Sequence, residues 1–126
     1  MKQFSVLSIT CIVFLSLCFI AGNPLSAGAQ QSAEQFTQQC NENGYVIVPD
    51  KGSGGPLTKA STYLGKSCDA YNAAFGDGAW CWANGGVLME FSGQAMSIRS
   101  MELYCEHPAL NALDCACSDN PLPSAR

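Results

Sequence analysis

The stretch Trp80-Cys81-Trp82-Ala83-Asn84-Gly85-Gly86-Val87-Leu88-Met89-Glu90-Phe91-Ser92-Gly93-Gln94-Ala95-Met96-Ser97-Ile98-Arg99 decides how this chain folds. Asn84-Gly85 is a strong short-range hairpin signal, because both central residues of a type I′ turn need positive φ. A two-residue loop there sets Trp82 opposite Val87, Cys81 opposite Leu88 and Trp80 opposite Met89. Ser92-Gly93 makes a second tight turn, with a poorer first residue because serine tolerates positive φ badly. It sets Phe91 opposite Gln94, Met89 opposite Met96 and Val87 opposite Ile98. Alternation along the strands then gathers Trp80, Trp82, Val87, Met89, Phe91, Met96 and Ile98 on one face. Cys81, Leu88, Glu90, Ala95, Ser97 and Arg99 fall on the other. Two independent turn signals yield one apolar face, which a slip of one residue would scramble. The Met and Leu content of Gln94–Tyr104 also permits a helix there, but the consistent face favours a three-stranded antiparallel meander over about residues 79–104.

Upstream, Asn43-Gly44 marks a turn and the β-branched and aromatic run Tyr45-Val46-Ile47-Val48 reads as a strand ended by Pro49. Lys51–Pro56 is glycine-rich and reads as a flexible loop, and Leu57–Leu64 fits either a short strand or a helical turn. Ser67 reads as the N-cap of a helix over Cys68–Phe75, with Asp69 in its first turn and Gly76 as a left-handed stop. Downstream, Pro108 opens one helical turn over Ala109–Leu113. Gln30–Gln39 is polar and glutamine-rich, a loose lead-in tethered by Cys40 with a helical turn around Phe36. Ser118–Arg126, with two prolines and no apolar cluster, reads as a frayed tail.

Val6–Ile20 is almost wholly apolar, follows Lys2, and precedes the small residues Ala27-Gly28-Ala29, the layout of a secretory signal peptide cut ahead of Gln30. Cutting after Ala27 also satisfies the small-residue rule. An uncleaved anchor is disfavoured, because a spanning helix needs about 20 apolar residues and Ser8, Thr10 and Ser16 interrupt this shorter run. Cys11 and Cys18 leave with the leader. Cys40, Cys68, Cys81, Cys105, Cys115 and Cys117 remain, and an even set in an oxidising compartment reads as a disulfide framework. Cys115 and Cys117 are too close to bridge each other without strain, so each joins a different distant cysteine.

The expected organisation is a signal peptide (1–29), a polar lead-in (30–39), one cysteine-rich domain (40–117) and a flexible tail (118–126). The fold class is α+β and β-rich: a small disulfide-stapled domain with the meander and one or two short helices. Loss of Lys2 with the leader moves the formal charge from −4 to −5. Such acidity argues against nucleic acid or anionic lipid as a partner, since both demand a basic patch. No second apolar stretch would hold the cleaved chain in a membrane.

Little here points to catalysis. His107 is the chain's single histidine, which excludes a two-histidine mechanism, and none of the serines sits in a GxSxG turn. A lone histidine before Pro108 reads as a solvated or capping residue. Cys105, His107, Cys115 and Cys117 could in principle form a Cys₃His zinc site, but their spacing is tighter than the common one and oxidation removes the thiolates. A redox-active CxC lacks a nearby cation to lower a thiol pKa. Gly52-Ser53-Gly54-Gly55 lacks the Lys-Ser/Thr that grips phosphate. No cofactor or metal is expected, and the scattered carboxylates single out no acid–base pair.

The residues with most binding potential are Trp80 and Trp82. Their flat rings can stack on sugar faces or anchor a protein partner, although sharing a face with Val87, Met89 and Ile98 equally suits a core. The function expected is non-catalytic binding outside the cytoplasm, as an effector or inhibitor recognising a protein or glycan. A small secreted hydrolase using a carboxylate pair and a structural wall or envelope component are the rivals. Intact mass of the exported form should show loss of the leader, no alkylatable thiol before reduction, and one adduct at each of the six retained cysteines after it; free thiols in the unreduced protein would refute the framework.

Overall fold

The computed structural model describes residues 29–110 and 112–125. The leader expected over residues 1–29 lies outside the described residues, Ala29 apart. The described chain forms β1 (Ala29–Ser32), β2 (Phe36–Asn41), β3 (Gly44–Pro49), β4 (Thr62–Gly65), β5 (Asp69–Asn72), β6 (Gly76–Ala83), β7 (Gly86–Phe91) and β8 (Gln94–Arg99). These join in one sheet of order β1-β8-β7-β6-β5-β4-β3-β2. All neighbours are antiparallel except β1 and β8, which run parallel. The sheet curls into a half-barrel whose two edge strands are consecutive along the chain, separated only by the 3₁₀ turn Ala33–Gln35.

The meander is present as β6–β8, with every pairing read from the two turns: Trp82 with Val87, Trp80 with Met89, Met89 with Met96, Val87 with Ile98. It is, however, three strands of eight rather than the whole sheet. Its turns also divide differently from expectation. Ser92 (φ 49°) and Gly93 (φ 78°) both take the left-handed values of a type I′ turn. At Asn84-Gly85 neither central residue does, and the positive φ falls on Gly86, at 132°. That conformation lets the Gly85 carbonyl accept the Ser100 N–H at 2.9 Å. A Cβ on Gly86 would collide with the Ile98 carbonyl, so only glycine fits.

The expected α-helices are absent among the described residues, which contain only 3₁₀ turns. Cys68–Phe75 contains β5, not a helix. Cys68 sits at φ 62° at the end of a turn whose N–H reaches the Gly65 carbonyl, and Ser67 caps nothing. From Asp69 to Asn72 burial alternates residue by residue, the period of a strand. Asn72 drives this choice from the interior. Fully buried, it donates to the Ala60 carbonyl (3.1 Å) and Thr62 Oγ1 (2.8 Å) and accepts the Ala74 N–H (2.9 Å), so its amide is satisfied only in this sheet. Ala109–Leu113 shortens to the 3₁₀ turn Pro108–Leu110.

Gln30–Gln39, read as a loose lead-in, supplies instead both sheet edges, β1 and β2. The buried Gln31 explains how a glutamine-rich segment is held: its Oε1 accepts the Leu57 N–H at 2.9 Å and its Nε2 donates to Gly54 at 3.0 Å. These bonds pin the glycine-rich loop expected to be flexible and deliver Leu57, from the 3₁₀ turn Pro56–Lys59, into the core. The core is otherwise the inner face of the sheet: Phe36, Tyr45, Ile47, Leu64, Trp80, Val87, Met89, Phe91, Met96 and Ile98. Ser118–Arg126, read as frayed, docks as far as it is described: Leu122 is buried and the Ser124 N–H donates to the Glu90 carboxylate at 2.9 Å.

Three disulfides join Cys40 to Cys105, Cys68 to Cys115 and Cys81 to Cys117, so each half of the CxC pair does take a distant partner. They fit an oxidising environment. No described helix is long and apolar enough to cross a membrane. Replacing Cys81 and Cys117 together by alanine should cost about 2–4 kcal/mol by loop entropy, lowering Tm by roughly 10–25 °C for a domain of this size. A melt that coincides with the wild type would show that the bridge adds no stability.

Candidate functional site

β6 is longer than its neighbour. β5 begins at Asp69, opposite Ala79, so the backbone of Trp80–Ala83 runs past the end of β5 with an open edge. The sequence closes that edge with cysteines. The Trp80 N–H donates to the Cys68 carbonyl at 2.9 Å. Next along, the Trp82 N–H donates to Cys115 and the Trp82 carbonyl accepts from Cys117, both at 2.9 Å, which makes Ala116 a one-residue parallel strand beside Trp82. The Cys68–Cys115 and Cys81–Cys117 bridges hold this graft on both sides. Trp82 is thereby fixed in position through its backbone, and its side chain takes no part in the fixing.

The two tryptophans meet different fates. Trp80 is core: 1% exposed, its Nε1 donating to the Gly65 carbonyl at 2.8 Å, its ring edge-on to Tyr45 with centroids 6.2 Å apart. Trp82 lies on the same face but at the strand end, and is 45% exposed. It stands at a cleft of about 790 Å³ whose walls include Tyr45, Trp80, Met101, Leu103, Leu110 and Leu113. Polar groups enter at Asn84, Ser100 and Glu102. No Lys, Arg or His lines it among the described residues.

Tyr45 is buried in the wall of this cleft, and burial alone raises its hydroxyl pKa above the usual 10.0, because desolvation disfavours the phenolate. The far wall comes from the segment after β8. Its route is set by Cys105, bridged to Cys40 on β2, and by Gln38 Nε2, which donates to the Tyr104 carbonyl.

The other residues singled out from sequence are spread over the molecule. Cys105, Cys115 and Cys117 belong to three different bridges, so they do not gather with His107 into a ligand set. His107 Nδ1 accepts the Ala109 N–H at 3.2 Å and caps the turn that follows. Asp50 accepts from Thr37 Oγ1 at 2.8 Å, and Glu90 holds the C-terminal segment. Among the described residues no three His, Cys, Asp or Glu side chains are grouped to hold a metal.

Sequence reading missed Tyr45 as a cleft residue, although its place two residues before Ile47 in a strand is a legible inward position. It missed Met101, Glu102 and Leu110 altogether, because they lie in irregular chain with no period to read. It also missed the exposed cross-strand pair Tyr63 and Tyr71 on the outer wall, centroids 6.2 Å apart. Comparison with protein-family models, with curated proteins and with solved structures finds no match.

In an alkaline titration followed by phenolate absorbance, Tyr45→Phe should remove a component that ionises above pH 10. The sign follows from linkage: a hydroxyl with a raised folded-state pKa leaves stability intact below the unfolded value and erodes it as pH climbs through the folded one. Tyr45→Phe should therefore flatten the fall in stability above pH 10. An unchanged titration curve would contradict the burial of Tyr45.

Proposed function

We propose that this protein is a non-catalytic binding protein acting outside the cytoplasm. Its leader exports it, its cysteines cross-link on arrival, and it recognises a protein or glycan partner as an effector or inhibitor. The single observation that carries the reading is Trp82: a large ring left half-exposed at the lip of a cleft, on backbone clamped by two disulfide-linked residues.

An exposed tryptophan on a mobile loop would lose conformational freedom on binding. One on a strand already hydrogen-bonded on that edge loses little, and such pre-organisation is a main determinant of affinity. The cleft's size lies within the usual range for ligand sites, about 300–1,000 Å³, and its lining mixes apolar side chains with the polar groups of Asn84, Ser100 and Glu102. Tryptophan is also among the residues that most often dominate binding energy.

The test is retention of partners by immobilised, disulfide-intact protein on extracellular protein fractions and glycan arrays. Trp82→Ala should weaken retention by at least tenfold, as loss of a central anchor does, while Leu88→Ala, on the outer face, should leave it unchanged. If instead a turnover activity is found that dies on replacing one or two carboxylates and survives Trp82→Ala, the binding reading gives way to a hydrolase.

A further inference from the structure

We infer that the cleft at Trp82 selects an organic cation, an alkyl- or trimethylammonium group carried on an apolar body. This deepens the binding role proposed above and rests on it. Four features of the lining converge on that chemistry. Trp82 presents a half-exposed indole at the cleft, and the negative face of an aromatic ring attracts a cation. Tryptophan is also the best of the aromatic residue types for this contact.

Among the described lining residues Glu102 is the only carboxylate, and none carries a positive charge. An anionic ligand would enter a site with nothing to neutralise it, and would do so against the chain's net negative charge. A bare metal ion is equally unsuited, since calcium takes six to eight oxygen ligands and one exposed carboxylate cannot supply them. The remaining walls are Met101, Leu103 and Leu110, which suit methyl or methylene groups attached to the charged centre. A purely apolar guest would fill those walls but leave Glu102 without use. A weakly hydrated cation such as a quaternary ammonium satisfies the indole, the carboxylate and the apolar surface together.

The experiment compares choline with its uncharged carbon analogue, in which a tert-butyl group replaces trimethylammonium, so that shape is held constant and charge alone changes. Binding to the full disulfide-bonded protein is followed by the indole NMR signal of Trp82, which separates it from the buried Trp80. Choline should bind about ten times more tightly than the analogue, within the range of a partly desolvated cation–π contact. Trp82→Ala should abolish the choline response. Glu102→Gln, an exposed and conservative change, should weaken choline severalfold and leave the analogue unaffected. Equal binding of the two probes, or no effect of Glu102→Gln on their ratio, would overturn the cation preference and leave the cleft as an apolar seat. If neither probe shifts the Trp82 signal at any accessible concentration, the cation preference is refuted, while the binding role proposed above is decided separately by loss of partner retention in Trp82→Ala.

Discussion

The structure depends on the closure of an overhang. β6 outruns β5, and the exposed polar edge of Trp80–Ala83 would otherwise be an unpaired strand edge, a template for wrong pairing. Cys68, Cys115 and Cys117 close it, with main-chain hydrogen bonds and covalent links on the same few residues. Hydrogen bonds alone are worth little net in water at an exposed edge, about 1 kcal/mol each. A one-residue parallel strand held only by two of them would open readily. The bridges remove that freedom by making the C-terminal segment a short-range neighbour of β6, even though it lies more than thirty residues away along the chain.

Several properties follow from that closure. It buries Cys81 and Cys115, although Cys81 points to the outer face of the sheet. It leaves the Trp82 side chain free, because only the backbone is engaged. Tail and sheet are also tied further along, where Glu90 accepts the Ser124 N–H and Leu122 packs down. The third bridge, Cys40–Cys105, acts at the opposite edge, where it sets the chain leaving β8 against β2 and so builds the far wall of the cleft. All three bridges thus act on irregular chain that no regular hydrogen-bond ladder would hold.

The interior follows a different logic. Its apolar rows are continuous across the meander, but a polar pair, Asn72 and Thr62, sits at the end where β5 turns into β6. Each is buried and bonded, and Asn72 cannot keep its three partners in a helix, where residues 60 and 62 would be out of reach. Buried polar groups satisfied by one arrangement alone penalise every other. That is the reason a segment with a good N-cap and a glycine stop ends as a strand: the capping preference is worth about 1 kcal/mol, and an orphaned buried amide costs more than that.

Short-range information in the chain settled the hairpins. Two-residue turns and strict alternation between them determine register locally, so the pairings of Trp80–Arg99 are legible in the sequence, as is the rule that Cys115 and Cys117 must diverge. The turn conformation at Asn84-Gly85 is not, because it answers to the Ser100 N–H, which arrives from beyond the end of β8. The tertiary structure alone decided that the glutamine-rich segment forms both edges of the sheet, that Asn72 lies inside, and that Trp80 is core while Trp82 is free. Alternation places both tryptophans on one face and cannot say where along the strand the covering layer stops. That boundary is set by residues 101–113 and 115–117, brought back by bridges whose pairing no local pattern encodes.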